Sequence, residues 1–345
     1  MRKLAANQAG QATRRGRRPL RITLIALGTV LGLAVVLAVA GYATANHFAG
    51  HIKRIPGVFT AYDIAHRPVL PAADQKSMTI LLTGSGSSQT QGRGTAGANT
   101  ASDTASNLIA LVHIDADRKA GAVVSLPGNT VVSIPGHGQA LLQDALQLGG
   151  PALLIQTIQQ LTNVPIDHYS VVNFGSLATA LKPLGGVDVQ VPATTSSDGI
   201  VFHAGTVHLT ATTALAYVRQ TSLTQEQRVQ RQQALLRGIV DELVTKNLIS
   251  DPLRDLSLLD AFTSALSVDS SFTNADLIAL AGQLHLLRPS SSSFITAPVT
   301  ASKTWLAPVQ FDTAVTGKLW QAIRTDSVAS FARQYPDTVT PAAPK

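Results

Sequence analysis

Four arginines crowd the segment between residues 214 and 237, and one acid accompanies them. They are Arg219, Arg228, Arg231 and Arg237, and the acid is Glu226. A guanidinium group matches phosphate oxygens bidentately, so this cluster is suited to binding a phosphate or pyrophosphate. An internal ion pair is the alternative, and it requires carboxylates, of which this part of the chain has few.

A helix is predicted from about Gln225 to Lys246 to position these arginines. Its apolar residues recur at roughly 3.6-residue spacing; they are Val229, Leu236, Ile239, Val240 and Leu243. At about 100° per residue, Arg228 and Gln232 fall near the centre of the apolar stripe and Arg231 on its shoulder. An inward arginine is costly unless negative charge meets it, so either a buried anion or an internal acid is expected.

The positive charge of the chain comes from its N-terminal tail. Residues 1–21 carry seven basic side chains and no acid, so 20 basic side chains face 20 acidic ones in the remainder. A formally neutral remainder argues against an extended basic surface for nucleic acid. The chain has no cysteine, so an exported domain must be held together by its core rather than by disulfides.

An uncharged run at residues 22–46 follows the tail. It is long enough to cross about 30 Å of hydrocarbon as a helix. The arginine-rich flank predicts a single-pass protein of the cell membrane with a cytoplasmic N-terminus and an extracytoplasmic main domain. A signal peptide cleaved after Ala40 is the alternative, because residues 38–40 read Ala-Val-Ala; the length of the run favours an uncleaved anchor.

Short apolar strands and helices alternate beyond this run. Strands are predicted at 78–84, 107–114, 121–128, 131–136, 168–174, 185–191 and 294–299, and helices at 140–148, 151–161, 176–182, 212–218, 225–246 and after residue 250. This alternation predicts an α/β domain with a central sheet covered by helices. The predicted organisation is a linker over 47–75, one domain over 76–335 and a disordered tail over 336–345.

The motifs of several common enzyme classes are missing. Gly84-Ser85-Gly86 follows a strand, but neither the dinucleotide spacing nor a Gly-Lys-Ser/Thr sequence accompanies it. A G-x-S-x-G motif is absent as well. His203 and His208 lack a third ligand, which argues against zinc, and His113 is interpreted as a hydrogen-bonded core residue.

Five stretches between residues 77 and 239 share an order and spacing that point to a known family. They read LVHIDADRKAGAVVSLPG, GGPALLIQTIQQLTNVPIDHYSVVNF, LGGVDV, ALAYVRQ and RVQRQQALL. Together they resemble the LytR-CpsA-Psr family of membrane-anchored envelope proteins. The resemblance implies a central mixed β-sheet flanked by helices, with an apolar lipid pocket between them and one transmembrane helix before the domain.

The resemblance also implies an activity. Members bind a polyprenyl-pyrophosphate lipid that carries a glycopolymer, and they transfer the phospho-glycan to peptidoglycan with Mg²⁺. Arginines hold the pyrophosphate and acids hold the metal, so positioning and charge neutralisation supply the catalysis. Carried over to this chain, the pyrophosphate ligands are Arg219, Arg228, Arg231 and Gln232. Asp103 becomes the catalytic acid, and the metal ligands become Asp103 and Asn129.

Several positions depart from the family pattern where the chemistry lies. Gly86 and Asn129 replace acids, Ala101, Gly128 and Thr221 replace arginines, and Leu141 and Gln143 replace a lysine and an asparagine. Each lost charge-stabilising group typically slows a reaction on the order of a hundred- to a thousand-fold. The pattern therefore predicts a pseudoenzyme with weak or no transferase activity that binds a lipid-linked precursor or a partner enzyme of the family. A working Mg²⁺-dependent phosphotransferase is the alternative.

Overall fold

The structure is a computed structural model of the 345-residue chain. It describes residues 46–47, 49–59, 65–70, 76–85, 108–220, 223, 225–246, 256–283, 286, 293–300 and 308–339. The predicted membrane span lies outside these residues apart from residue 46. Within the described residues, no helix combines the length and apolar character needed to cross a membrane. The features below belong to the compact unit Phe48–Lys345.

A seven-stranded mixed sheet forms the centre of this unit. Its strands are β1 (Lys53–Ile55), β2 (Met78–Ser85), β3 (Ile109–Ile114), β4 (Gly121–Ser125), β7 (His168–Asn173), β12 (Leu266–Asp269) and β13 (Ser293–Thr296). The order across the sheet is β1-β12-β7-β2-β3-β4-β13. The pairs β1–β12, β2–β7 and β4–β13 are parallel, and the other three are antiparallel. The predicted mixed α/β architecture is therefore confirmed.

Three two-stranded ribbons surround the central sheet. β5 (Val131–Ile134) pairs with β6 (Gly138–Leu141), β8 (Val187–Val191) with β11 (Gly205–Leu209), and β9 (Thr195–Ser197) with β10 (Ile200–Phe202). The Asp198-Gly199 turn joins β9 to β10, and both of its residues have positive φ. An Asp-Gly pair is typical of a two-residue hairpin turn of this kind.

Helices cover both faces of the central sheet. They are α1 (Leu142–Thr162), α2 (Phe174–Leu184), α3 (Ala211–Arg219), α4 (Gln225–Thr245), α5 (Leu256–Ala265), α6 (Asn274–Gln283), α7 (Thr313–Arg324) and α8 (Val328–Gln334). One core joins the sheet to α1, α7 and α8, and a second joins it to α2, α3, α4 and α5. Ala110 belongs to the second core and Leu111 to the first, so the continuous apolar run of β3 reflects burial on both faces.

The first helix is interrupted where two glycines precede a proline. Gly150 has φ of 67° and ψ of −162°, and Gly149 is also non-helical. The positive φ at Gly150 favours glycine because a Cβ would clash with the backbone there. The two helices predicted at 140–148 and 151–161 thus flank this break, although the first begins at Leu142 because residues 138–141 form β6.

Two strands of the sheet lie where the sequence predicted other structure. β1 occupies residues 53–55 of the predicted linker, and it pairs with β12. β12 interrupts the stretch predicted to be helical after residue 250. Each of these strands has three or four residues, which is too short for its apolar periodicity to be distinguished from that of a helix.

A buried carboxylate ties β12 to β7. Asp269 is 1% exposed, and it accepts hydrogen bonds from the backbone N–H groups of Tyr169 (3.0 Å), Ser271 (2.8 Å) and Phe272 (3.0 Å). Its Oδ2 also lies 3.2 Å from His168 Nδ1, and the His168 ring stacks on Phe272. Burial raises the pKa of Asp269, but these hydrogen bonds and the His168 charge outweigh it and hold the pKa at about 2.

Candidate anion-binding cavity

A cavity of about 650 Å³ opens between the β8–β11 ribbon, the β9–β10 ribbon, α4 and the end of β13. Its walls come from β8 and the residues after it, from α3 and α4, and from the segment that follows β13. The C-terminal 3-10 helix Pro336–Thr338 and the adjacent Val339 complete them. Its polar lining comes from Gln190, Thr195, Tyr217, Gln227, Gln230, Arg231, Thr296, Asp337 and Thr338. The lining thus mixes apolar walls with neutral polar groups, one guanidinium and the carboxylate of Asp337.

Arg231 is the cationic group of this lining. It is 4% exposed, and its Cζ lies 4.4 Å from the Tyr217 ring centroid and 5.8 Å from that of Phe202. Its Nη2 donates a hydrogen bond to Thr195 Oγ1. Two aromatic rings and one hydroxyl therefore fix the guanidinium in place, and stacking of this kind suits arginine better than lysine.

Two polar atoms of this group still lack partners. Among the described residues, neither Arg231 Nη1 nor the Tyr217 hydroxyl has a hydrogen-bond partner, and no carboxylate forms an ion pair with Arg231. Burial lowers the pKa of Arg231, which the Tyr217 hydroxyl opposes, and burial raises the pKa of Tyr217 to about 12. Buried donors left in this state cost free energy unless a ligand meets them. The arrangement is suited to an anion.

Local structure around α3 and the β9–β10 hairpin holds these residues together. The Thr210 hydroxyl caps α3 by accepting from the Thr213 N–H, so the helix starts at Ala211 and presents Tyr217 inward. Gln220 follows α3 and donates from Nε2 to the Ser196 carbonyl, which ties the helix end to the hairpin. The Phe202 and Tyr217 rings meet edge to face at 5.4 Å.

The predicted phosphate ligands are only partly brought together. Arg231 lines the cavity, whereas Arg219 and Gln232 are not among the described residues that line it. Arg219 is half-buried at the end of α3, and Gln232 is buried on α4. The side chain of Arg228 lies outside the described part of the structure, so its prediction stays open.

The helical phase predicted for α4 is wrong by about one residue. Leu235 is fully buried and Val240 is 39% exposed, whereas the sequence stripe placed Val240 inward. Arg231 consequently lies on the inward face rather than on its shoulder, together with Gln232 and Ile239. Close packing fixes this phase, because a Cβ at Gly238 would lie 2.8 Å from the Asp188 carbonyl of β8.

The Arg237 side chain packs against the core. Its Cζ lies 5.3 Å from the Phe294 ring centroid, and its Nε lies 3.8 Å from Asp241 Oδ2. Burial lowers its pKa, and Asp241 opposes that effect. Both Arg231 and Arg237 therefore face inward, but only Arg231 belongs to the cavity lining.

The described part of the cavity does not fit a Mg²⁺ site. Asp103 lies outside the described residues, and Asn129 is not among the lining residues. The carboxylate found in the lining is Asp337, which is exposed on the 3-10 helix. Magnesium binds through one or two carboxylates together with substrate oxygens. One exposed carboxylate alone is not arranged for that purpose.

Sequence reasoning missed three residues that build the site. Thr195 and Gln220 connect α4 and α3 to the β9–β10 hairpin, and Tyr217 covers the guanidinium. The Asp198-Gly199 pair was a usable signal for this hairpin. Nothing in the sequence spacing brings Thr195 next to Arg231, which lies 36 residues later.

Residues 40–332 match the model of the LytR_cpsA_psr family. The chain belongs to this family. Among its relatives, TagU of Enterococcus faecalis, a polyisoprenyl-teichoic acid–peptidoglycan teichoic acid transferase, is 32% identical over 47% of this chain and 54% of TagU. The transferase TagT of Bacillus subtilis is 28% identical over 58% of this chain and 62% of TagT. The chain therefore spans only half to two thirds of these relatives.

Solved structures of the LytR_cpsA_psr family share the fold. A LytR-Csp2A-Psr enzyme from Actinomyces oris superposes with a TM-score of 0.57 at 19% identity, covering 79% of this chain and 95% of that one. The structure of YwtF (TagT) with bound octaprenyl pyrophosphate lipid gives 0.51 at 23% identity, covering 76% and 95%. At these identities the comparison establishes the central mixed sheet and its helical layers.

Proposed function

We propose that this protein binds polyprenyl-pyrophosphate-linked envelope glycopolymer precursors in the cavity beside Arg231, with weak or no transferase activity. The buried Arg231 guanidinium carries the proposal, because its Nη1 faces no acceptor among the described residues. A pyrophosphate oxygen would supply that acceptor and compensate the buried charge. The names of TagU and TagT, and the octaprenyl pyrophosphate bound to YwtF, support this choice of anion.

The proposed loss of activity depends on residues that differ from the family pattern. Gly128 and Asn129 replace an arginine and an acid after β4, and Gly86 replaces an acid after β2. Arg219, Arg228 and Gln232 remain proposed contributors to binding, and Asp103 remains the proposed catalytic acid. Because the described cavity does not fit Mg²⁺, we assign no step to that ion.

An active phosphotransferase is the competing function, and the names of TagU and TagT favour it. A direct assay separates the two. The full-length protein in detergent is given a polyprenyl-pyrophosphate-linked glycan, peptidoglycan and Mg²⁺. We expect saturable lipid binding with transfer at least ~100-fold slower than by TagT.

Two results would overturn this expectation. Transfer at the rate of TagT, abolished by Asp103→Ala and unaffected by Asp117→Ala, would establish the phosphotransferase instead. Asp117 is an exposed partner of Lys119, so it is a matched surface control. Failure of the wild-type protein to bind the lipid would eliminate both functions.

The proposed substrate requires an extracytoplasmic domain on a membrane anchor, with peptidoglycan or a partner enzyme of the same family nearby. The absence of cysteine makes this topology easy to test with single-cysteine variants and a membrane-impermeant maleimide. We expect Val69→Cys, at a position that is 84% exposed, to be labelled on intact cells. Ala9→Cys in the basic tail should react only after permeabilisation. Labelling of Ala9→Cys on intact cells would show that the tail lies outside the cell, which contradicts the proposed topology.

A further inference from the structure

A cluster of metal-ligating side chains lies at the end of the central sheet away from the cavity. His113 is on β3, Asp115 follows that strand, and Asp326 lies between α7 and α8. On β4, the partner of His113 is Ala122, whereas Ser125 pairs with the cavity residue Thr296. The two sites are therefore about 10 Å apart along the strand, and neither shares a residue with the other.

The imidazole of His113 is the centre of this cluster. It is 1% exposed, and its Nδ1 lies 3.0 Å from Thr79 Oγ1. Its Nε2 lies 2.8 Å from Asp326 Oδ1 and 3.7 Å from Asp115 Oδ1. One nitrogen can donate at most one hydrogen bond, so a proton on Nε2 serves only one of the two carboxylates.

The surroundings keep the Asp326 carboxylate in this position. The Ala116 N–H donates to Asp326 Oδ2 at 2.7 Å, and Asp326 has a positive φ of 46°, which is uncommon for a residue with a side chain. Arg118 directs its guanidinium to the carbonyl groups of Ile114 and Asp115 and to the Gln283 side chain. Its charge is thus not used to pair either carboxylate.

This geometry points to a divalent cation. We propose that His113 Nε2, Asp115 and Asp326 bind a cation of the Zn²⁺ and Mn²⁺ class, with water completing the coordination. The three ligand atoms lie within 4.8 Å of one another, and ligands about 2.1 Å from a metal are roughly 3 to 4 Å apart. An Nδ1–H bond to Thr79 leaves the Nε2 lone pair for the metal, as in most histidine sites. A site of one imidazole and two carboxylates suits Zn²⁺ or Mn²⁺ better than Mg²⁺, which prefers oxygen ligands alone.

The competing interpretation is a structural hydrogen bond between His113 and Asp326. Asp115 separates the two interpretations because it does not take part in that hydrogen bond. Asp115 Oδ1 and Asp326 Oδ1 both approach the same imidazole nitrogen, at 3.7 and 2.8 Å. Two charged carboxylates held this close repel each other, and a cation between them would relieve that repulsion.

A bound cation would also stabilise the C-terminal helices. Asp326 occupies the joint between α7 and α8, and α8 leads to the 3-10 helix that carries cavity residues Asp337 and Thr338. The cation would fix this joint against the end of β3. This role does not depend on the proposed lipid function.

The test uses the full-length protein, untagged because a histidine tag binds zinc, in detergent after treatment with a chelator. We expect calorimetry with Zn²⁺ or Mn²⁺ to show one saturable site and thermal unfolding to shift upward on addition of the ion. Asp115→Asn should weaken this site at least ~10-fold while leaving the chelator-treated protein as stable as wild type. Asp326→Asn is the second variant, and Asp117→Asn is the control.

Two outcomes would overturn the site. One is the absence of saturable binding to the wild-type protein. The other is equal binding by wild type and Asp115→Asn, which would assign the ion to other residues. Lipid binding that persists in Asp115→Asn would show that the cation site and the cavity are separate. If the wild type binds the ion but not the lipid, the metal site stands and the proposed lipid function fails.

Discussion

Arg231→Met should weaken binding of polyprenyl pyrophosphate at least ~10-fold without lowering the free energy of unfolding. A hydrogen bond to a charged group contributes about 1.5–3 kcal/mol, which corresponds to roughly 10- to 100-fold in affinity. Methionine fills a similar volume between the rings of Tyr217 and Phe202 and carries no buried charge. Replacing an unpaired buried charge with an apolar side chain is often neutral or stabilising.

The two interpretations of Arg231, as an anion ligand and as a packing residue, predict opposite results in this experiment. A guanidinium that only packs between aromatic rings would, when removed, destabilise the fold and leave binding of the lipid unchanged. Affinity is measured by titrating the full-length protein with polyprenyl pyrophosphate, and stability by urea unfolding. Arg333→Met is the control, because Arg333 is exposed and contacts only Ser330 among the interactions described for it. An unchanged affinity in Arg231→Met would remove the basis of the proposed function.

Asp269→Asn should destabilise the protein by about 3 kcal/mol at neutral pH, the cost of breaking a buried charged network. An amide offers one acceptor oxygen where the carboxylate offers two, so its NH₂ group would face N–H donors on one side. Asp260→Asn is a matched control, since Asp260 pairs with His51 at 3.1 Å on the exposed surface. We expect that pair to contribute less than about 1 kcal/mol.

The pH dependence of stability gives a second measurement of the same group. The pKa of Asp269 is lowered from 3.8 to about 2 in the folded protein, so the unfolded state binds the proton more readily. Its stabilising contribution is complete above pH 4 and is lost as the pH falls towards 2, and it amounts to about 2 kcal/mol. Asp269→Asn should lack this loss. Parallel curves of unfolding midpoint against pH for both proteins would contradict the assignment.

Long apolar runs made most of the fold predictable. β2, β3, β4 and β7 are apolar on both faces, and such runs are typical of strands covered by two layers of helices. β1 and β12 escaped prediction because their pairing is tertiary: each has few residues of its own, and each is stabilised by the other. The family resemblance supplied the mixed sheet, which no local pattern specifies.

The site was predictable only as far as residue types allow. The excess of arginines over acids indicated an anion, and the structure places Arg231 in a cavity with an unpartnered Nη1. The helical phase was wrong because Gly238 lets α4 approach β8 closely, and this contact between distant segments rotates the inward face. Thr195 could not be found because the hairpin that carries it joins the site through tertiary contacts alone.

The order of strands in the central sheet has a consequence for how the protein is made. β12 separates β1 from β7, and β13 covers β4, so both margins are completed by segments after residue 265. Until the segments after residue 265 emerge, β7 and β4 present unpaired backbone groups that other chains can join. A nascent protein of this design is therefore most vulnerable to aggregation late in synthesis, before β12 and β13 have been made.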